Sequence, residues 1–282
     1  MISPEEEEHI LTRAYVPEHI VGMMALISGG EPFLIDDHLG FAKDNWAILI
    51  GYPLTGKFAP TALERVIGRA REAFRPEHFS FVAPEIPPGL ARRCQEREGD
   101  TYYTLDLHRF VLKPPLRRLV DRAAHDLRLE RASMTGTPHQ AAIEEFLERE
   151  KPGPRIERLF LSMAGYTARS ATATVVTARD AEGHVSAFSV VELGARAFAT
   201  YVVGCHSKKH YAPGASDLVF LEMVRLAGEH GKTYIHLGLG VNDGIRRFKE
   251  KWGGTPSLPY EFCADRPGFP SFLWSLLSRA WS

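Results

Sequence analysis

Apolar residues along the chain follow two spacings, one typical of strands and one typical of helices. Residues 78–83, 101–107 and 233–239 are short runs of β-branched and aromatic residues between turn formers, which predicts buried strands. Residues 63–74 and 217–230 repeat apolar side chains at helical intervals, which predicts amphipathic helices. Together they predict an α+β fold of mixed α/β character, with a mixed central sheet flanked by helices.

The predicted elements of the first third return in the same order near the end of the chain. At an offset of 154 residues (245 minus 91), residues 79–83 match 233–237 and residues 91–99 match 245–253. The first pair is strand on strand. The second pair lies in predicted helices, one over residues 89–98 in the first copy and one that ends at residues 253–254 in the second. A match that keeps its register through a strand and a helix indicates two copies of one unit.

The two copies differ at the position of the candidate functional lysine. The second copy has Lys249 where the first has Gln95, so a chemical role for the lysine would be lost from the first copy. We therefore predict a degenerate N-terminal domain over residues 1–113 and a C-terminal domain over residues 114–282 that carries the site. Two consecutive prolines mark the boundary.

Lys249 is the leading candidate for function. On a helical wheel Ile245, Phe248 and Trp252 form an apolar stripe, and Lys249 lies about 40° from Ile245 at the edge of that stripe. A lysine in this position must end in a polar cavity or extend to solvent, because an unpaired buried ammonium is costly. The sequence leaves both outcomes open.

The densest polar cluster in the chain follows a strand predicted at residues 197–204. Loops at strand ends often carry function, although a merely solvated loop is the alternative. The cluster consists of His206, Ser207, Lys208, Lys209, His210 and Tyr211. Ser216 then stands as the predicted N-cap of a helix whose first amides could bind an anion.

Three segments together resemble a known group of proteins. They are LIGYPL at 49–54, the stretch 101–130 with its arginine-rich helix, and LGLGVNDGIRRFKEKWGG at 237–254. They resemble the tandem-GNAT group that contains the catalytic domain of phosphatidylglycerol lysyltransferases (DUF2156-like) and is similar to the Fem-type peptidoglycan aminoacyltransferases. The resemblance extends from about residue 33 to residue 262 and implies two tandem GNAT-like acyltransferase domains.

The same resemblance implies an acyltransferase. Such an enzyme moves an acyl or aminoacyl group from an acyl-CoA or an aminoacyl-tRNA, as co-substrate, to an amine or hydroxyl. Lys249 matches the lysine of the family's Phe-Lys motif, which lies near donor and acceptor. Only Gly214 stands where acetyl-CoA-dependent GNAT enzymes have two loop glycines, and the membrane portion of the lipid-modifying synthases has no counterpart. The donor and acceptor therefore stay open.

Acyl transfer needs a deprotonated acceptor, a positioned donor carbonyl and a positive group where negative charge develops. Lys249 suits the last role. Asp243 and His206 are candidate bases, and Glu192 is a weaker third that we also place among the substrate-binding residues. Arg246, Ser216 and the 206–211 cluster are expected to bind donor or substrate. The absence of Ser-His-Asp spacing favours direct attack over a covalent intermediate, and we predict no metal ligands and no tightly bound cofactor.

Composition limits the choice of partners. With 34 lysines and arginines against 35 acidic residues, the formal net charge is −1, so a contact with tRNA would need a local basic patch. Arg117, Arg118 and Arg122 could form a basic shelf for a phosphate-rich substrate, although a solvated helix face is the simpler interpretation for most of them. A small-molecule, lipid or peptide acceptor is expected, and the sequence does not indicate the oligomeric state. A catalytically inactive GNAT-like ligand-binding protein or sensor is the alternative function.

Cysteine usage and hydropathy suggest a location. Cys94, Cys205 and Cys263 lack metal-binding spacing, and their odd number argues against a disulfide framework, so a reducing cytoplasm is expected. No apolar run approaches the ~18 residues of a membrane span. Residues 269–282, FPSFLWSLLSRAWS, predict a short helix with a broad apolar face. We expect that helix to dock on its own domain. The alternative is that it docks on a partner subunit or on the inner face of the membrane.

Overall fold

The computed structural model describes residues 2–265, apart from the side chains of residues 154 and 155. Within this range the helices are α1 Pro4–Arg13, α2 Val21–Ser28, α3 Pro60–Phe74, α4 Pro114–Asp126, α5 Thr137–Glu150, α6 Pro154–Thr167, α7 Ala215–Glu229 and α8 Asp243–Lys251. The strands are β1 Glu31–Ile35, β2 His38–Lys43, β3 Trp46–Ile50, β4 His78–Ala83, β5 Glu96–Asp106, β6 Arg128–Ala132, β7 Ala173–Arg179, β8 Val185–Glu192, β9 Phe198–His206, β10 Tyr234–Leu239 and β11 Thr255–Ala264. Short 3₁₀ turns lie at Pro17–His19 and Ala91–Arg93.

All eleven strands form one sheet in the order β1-β2-β3-β4-β11-β5-β10-β9-β8-β7-β6. The order β1-β2-β3-α3-β4-β5 recurs as β7-β8-β9-α7-β10-α8-β11, where α8 takes the place of the 3₁₀ turn Ala91–Arg93. Strand β3 is parallel to β4, and β9 is parallel to β10. The last strand of each half crosses over: β5 pairs with β10, β11 pairs with β4, and β5 and β11 pair with each other. The two halves therefore share a sheet, and the division at residue 113 stays a prediction.

Helices cover both faces of this sheet. Residues of α1, α2, α5 and α6 form one apolar core with one face, and α2 packs on α6. In this core the rings of Phe146 and Phe160 stack with centroids 4.5 Å apart. On the other face α3 covers the first half, while α4 and α7 cover the second. Full burial of each large apolar side chain contributes about 1.5–3 kcal/mol, so these layers hold the sheet in place.

The structure corrects one predicted element and adds two that the sequence did not predict. The helix expected over residues 89–98 is wrong, because only the 3₁₀ turn Ala91–Arg93 forms and β5 begins at Glu96. The amide of Gln95 donates to the carbonyl of Ala264 on β11, so sheet pairing outweighs helical spacing here. Helix α6 and strand β6 were not predicted. Pro154 lies in the first turn of α6, a position that favours proline.

The cysteines depart from expectation as well. Cys94 and Cys263 form a disulfide across 169 residues of sequence, and Cys205 is the odd residue, buried and free. The expectation of no disulfide was therefore wrong. Disulfides persist mainly in oxidising compartments, so this pair does not support the cytoplasmic location, which stays a prediction.

Two further expectations concern the membrane. No helix within residues 2–265 has the length and apolar character needed to cross a bilayer. The helix expected at residues 269–282 lies outside the described residues.

Candidate functional site

The parallel strands β9 and β10 separate along their length. Residues 198–200 pair with residues 234–236, and the pairing ends there although both strands continue. In the first half the equivalent strands, β3 and β4, pair along the whole of β3. The sheet thus opens at the carboxyl ends of β9 and β10, the place where open α/β sheets bind ligands. We call this gap the β9–β10 opening.

A bulge in β10 accompanies the opening. The register of β10 against β5 shifts between His236 and Leu239, and Gly238 within the shift has φ +75°. Only glycine adopts this conformation without strain, and a bulge of this kind bends its strand. The amide of Gly238 donates to Nδ1 of His236 over 3.2 Å. The glycine therefore lets β10 leave β9 while it keeps its pairing with β5.

Lys249 lies at the edge of the opening. Helix α8 begins after Asn242, whose side chain accepts from the amide of Ile245 at 2.9 Å, and it turns Lys249 toward the sheet. The ammonium, 4% exposed, donates to the carbonyl of Leu239. In the same peptide unit the Gly240 amide donates to Thr101 on β5, so the Leu239 carbonyl points the opposite way, toward β9. Lys249 therefore does not extend to solvent but ends at the opening.

The surroundings of Lys249 shift its protonation. Burial lowers the pKa of Lys249 from 10.5 to about 7, while the Asp100 carboxylate acts in the opposite direction. The ring of Tyr103 lies 5.6 Å from the ammonium, within the range of a cation–π contact. Near neutral pH the side chain is therefore present both as an ammonium and as an amine, which suits a group that stabilises charge or transfers a proton.

Asp100 holds the turn that follows β10. Its carboxylate accepts from the amides of Gly240, at 3.2 Å, and Val241, at 2.8 Å. Val241 has φ +60°, an uncommon and strained conformation for a β-branched residue. Asp100 belongs to β5, so the first half contributes a residue to the site of the second. Sequence reasoning missed it, because no local motif relates residues that are this far apart.

A row of buried polar side chains crosses the sheet where β9 and β10 stop pairing. Glu192, Thr200 and His236 are successive partners on β8, β9 and β10, and all three are 0% exposed. Among the described residues, Thr200 Oγ1 and His236 Nε2 have no hydrogen-bond partner. Burial, together with nearby Lys249, lowers the pKa of His236 to about 3, so the ring is neutral. Buried polar atoms are rarely left unpaired, which marks this row as a place for water or a ligand.

The row continues to the 3₁₀ turn near the N-terminus. The hydroxyl of Tyr102 donates to Glu18 Oε1 at 2.8 Å, and its ring contacts that of His236 edge to face at 4.8 Å. Glu18 Oε2 has no partner among the described residues, and burial raises the pKa of Glu18 to about 7. Sequence reasoning missed Glu18, Tyr102 and His236. The one available signal was the histidine that interrupts the apolar run of β10.

The three candidate bases lie in different settings. Asp243 is exposed and paired with Arg246 at 2.5 Å, a contact that lowers the pKa of this carboxyl. His206 is half-buried at the end of β9, and burial lowers its pKa. Glu192 accepts from the Tyr166 hydroxyl and, at 2.7 Å, from the Gly194 amide. The structure does not bring these residues together in one cluster.

The polar loop after β9 is fastened to α5 by Glu145. The hydroxyl of Ser207 donates to Glu145 at 2.6 Å, and the amides of Lys208 and Lys209 donate to the same carboxylate. The amide of His210 donates to Ser207 Oγ at 2.9 Å. The backbone of the predicted loop is therefore ordered by a single acidic side chain.

The end of the loop differs from the prediction. Helix α7 begins at Ala215 with Gly214, φ +79°, as its N-cap, so the N-cap predicted at Ser216 is wrong. Glycine takes the cap because it adopts the left-handed conformation that the chain needs at this point. Ser216 lies instead in the first turn of α7, and Tyr211 is exposed.

The doubled strand order, the shared sheet and the opening between two parallel strands define the fold of the tandem GNAT-like acyltransferases. Solved structures share it. FemX matches with a TM-score of 0.63 at 11% identity, over 97% of this chain and 99% of its own. L-PGS from Bacillus licheniformis matches with a TM-score of 0.59 at 17% identity, over 98% of each chain.

A tandem GNAT protein from the clavulanic acid biosynthesis pathway matches with a TM-score of 0.53 at 15% identity, over 82% of this chain and 79% of its own. No protein-family model and no curated protein matches the sequence. These likenesses confirm the fold predicted from the sequence, and L-PGS and FemX represent the two groups that the sequence resembles.

Proposed function

We propose that this protein transfers an acyl or aminoacyl group to an amine or hydroxyl acceptor by direct attack. One observation carries the proposal: the buried Lys249 ends at the β9–β10 opening with its pKa lowered to about 7. A group that is buried, positioned and shifted toward neutrality is typical of a catalytic side chain. The fold, which the GNAT-like acyltransferases share, supports the same class of reaction.

The proposed reaction takes place in the opening. The acceptor nitrogen or oxygen bonds to the acyl carbon, and the bond from that carbon to the donor's oxygen or sulfur breaks. Lys249 as ammonium stabilises the negative charge that develops on the acyl oxygen. His206, neutral at the end of β9, is a better base for the acceptor proton than Asp243, which is bound to Arg246. The departing donor group takes up a proton.

The charges around α7 favour an aminoacyl-tRNA over an acyl-CoA. The first turn of α7 would meet a coenzyme pyrophosphate, but its charged side chain is Asp217, 8% exposed, which takes Lys251 as its partner and so leaves that cation unavailable to an anion. Trp252 Nε1, at 2.9 Å, and Lys251 Nζ, at 2.5 Å, already bind this carboxylate. Nearby, α4 packs on α7 and exposes its three arginines, which supports a local contact with the phosphates of RNA.

The unpartnered atoms of the buried row support an aminoacyl group as well. Thr200 and His236 are the last paired residues of β9 and β10, so they form the end of the opening. Thr200 Oγ1 and Glu18 Oε2 can accept hydrogen bonds from an ammonium, and His236 Nε2, which carries the ring proton because Nδ1 accepts from Gly238, can donate to a carbonyl oxygen. An acetyl group has no such donors. We propose a lipid, a peptide or a small molecule as the acceptor, and we assign no residue to its recognition.

A donor-side experiment tests the proposal. Calorimetry measures binding of a non-hydrolysable aminoacyl-tRNA mimic and, separately, of acetyl-CoA. Turnover is followed as loss of labelled aminoacyl-tRNA in the presence of a bacterial lipid extract or a peptide-precursor pool. Lys249→Met is the test variant, and Arg247→Met, on the exposed side of α8, is the matched control.

We expect the mimic to bind and Lys249→Met to turn over about 10²–10³ times more slowly, with Arg247→Met unchanged. If acetyl-CoA alone is bound and turned over, the donor is a thioester and the proposal of an aminoacyl-tRNA donor is wrong. Failure to bind either donor would contradict the proposed enzymatic function. It would favour the alternative, a catalytically inactive ligand-binding protein.

A further inference from the structure

We propose that Asp180, His184 and His210 bind one divalent transition-metal ion of the zinc class. These residues contribute a carboxylate and two imidazoles whose ligand atoms all lie within 4.8 Å of one another. The proposal departs from the sequence-based expectation of no metal ligands. It concerns a site outside the β9–β10 opening and does not depend on the proposed function.

One carboxylate oxygen faces both imidazoles. Asp180 Oδ2 lies 3.2 Å from His184 Nδ1 and 3.9 Å from His210 Nδ1. Ligand atoms bound tetrahedrally to zinc at 2.0–2.2 Å lie roughly 3.3–3.5 Å apart, so the first distance is already close to that of a bound pair. The two imidazole rings stack with centroids 3.9 Å apart. Rotation of the half-exposed His184 side chain turns this stack into two rings that converge on an ion.

The ligand types select the metal. Two imidazole nitrogens with one carboxylate suit Zn²⁺, Co²⁺ or Ni²⁺, whereas Mg²⁺ and Ca²⁺ prefer oxygen ligands alone. Three protein ligands leave a fourth position for a solvent or ligand molecule. That position has room, because His184 and His210 line a groove of about 340 Å³ together with Glu145, Ser207 and Lys209.

The ion would connect two segments of the second half. Asp180 and His184 flank the turn between β7 and β8, where the Asp180 amide donates to the His184 carbonyl at 3.0 Å. His210 lies in the polar loop after β9, which Glu145 already ties to α5 through Ser207. A bound metal would add a second attachment three residues beyond Ser207. The consequence is a loop ordered from two sides ahead of α7.

The test uses the full chain without a histidine tag. After metal removal and dialysis against Zn²⁺, elemental mass spectrometry measures the zinc that remains per chain. Addition of Co²⁺ follows, with visible absorption as a report on its ligands. His184→Ala and His210→Ala are the test variants. His125→Ala is the matched control. His125 also has a carboxylate 3.0 Å away, on Asp126, but within residues 2–265 it belongs to no group of three potential metal ligands.

We expect one equivalent of zinc, visible Co²⁺ bands, and a thermal midpoint that rises with Zn²⁺ because the ion binds the folded state. His184→Ala and His210→Ala should each weaken zinc binding at least tenfold, while His125→Ala leaves it unchanged. Less than a tenth of an equivalent retained at micromolar Zn²⁺ would overturn the proposal. Zinc binding that survives when His184→Ala and His210→Ala are combined in one chain would also overturn it, and so would stabilisation by Mg²⁺ or Ca²⁺ in place of Zn²⁺.

Discussion

The carboxylate of Asp100 accepts a 2.8 Å hydrogen bond from the amide of Val241, 141 positions further along the chain. The bond joins a strand of the first half to the strained turn beside Lys249 in the second. The first half, although its own strands leave no opening between β3 and β4, therefore has a part in shaping the candidate site.

Replacing Asp100 tests this connection. Asp100→Ala leaves the amide of Val241 without its acceptor and the amide of Gly240 with the Thr101 carbonyl alone, and should lower the free energy of unfolding by about 1–3 kcal/mol. Asp100→Asn keeps one acceptor oxygen and should lose less. Urea unfolding of the three proteins measures the difference. An Asp100→Ala midpoint equal to that of the wild type would contradict the role of this carboxylate.

Lys249 should reduce stability at neutral pH and cease to do so at high pH. Its pKa is about 7 in the folded chain and 10.5 ordinarily, so between these values the unfolded state binds more protons and stability rises with pH. Relative to Lys249→Met, the wild type should gain about 1.4 kcal/mol per pH unit across that window. Below pH 7 the difference in the free energy of unfolding between the wild type and Lys249→Met should stay constant. Arg247→Met, measured in parallel, should show no such slope.

Glu18 should give the opposite slope at lower pH. Burial raises the pKa of Glu18 from 4.5 to about 7, so between these values only the unfolded state releases the proton, and stability falls as pH rises. Glu18→Gln removes this loss. Its stability relative to the wild type should increase from pH 4.5 to pH 7 and then stay level. Chemical denaturation at several pH values measures it, with exposed Glu148→Gln as control. A difference that does not change with pH would contradict the buried, neutral state of Glu18.

The disulfide can be tested by counting the free thiols of the denatured protein before and after reduction. Denatured protein without reductant should react with an alkylating reagent at one thiol, Cys205, and after reduction at all three. Reduction or Cys94→Ser should lower the free energy of unfolding by about 2–4 kcal/mol, because the cross-link restricts the unfolded chain. Cys205→Ala serves as the control that keeps the bond. Three reactive thiols before reduction would restore the original expectation.

The sequence predicted what local spacing determines. The strand, turn and helix around Lys249 follow from apolar periodicity and turn-forming residues, and helical spacing placed the lysine at the edge of the packed side of α8. The order of the major strands was predicted for the same reason. Predictions failed where pairing with distant chain outweighs spacing, as at residues 89–98.

The rest of the site depends on contacts that no local pattern encodes. Asp100 meets Val241 only because β5 lies beside β10, and Glu18 meets Tyr102 only because the N-terminal 3₁₀ turn packs under the sheet. The row of Glu192, Thr200 and His236 exists through strand register. The individual residues did not predict these contacts, because none of them stands out from its own segment of the sequence.

The position of β11 also has a consequence during synthesis of the chain. This strand, residues 255–264, is among the last described residues to leave the ribosome, yet it lies in the middle of the sheet between β4 and β5. Until it emerges, the neighbouring edges of β4 and β5 have no strand between them. A nascent chain must therefore wait for residues 255–264 before the two halves can join, and a product that stops before residue 255 would have two open edges, the kind of surface that leads to aggregation.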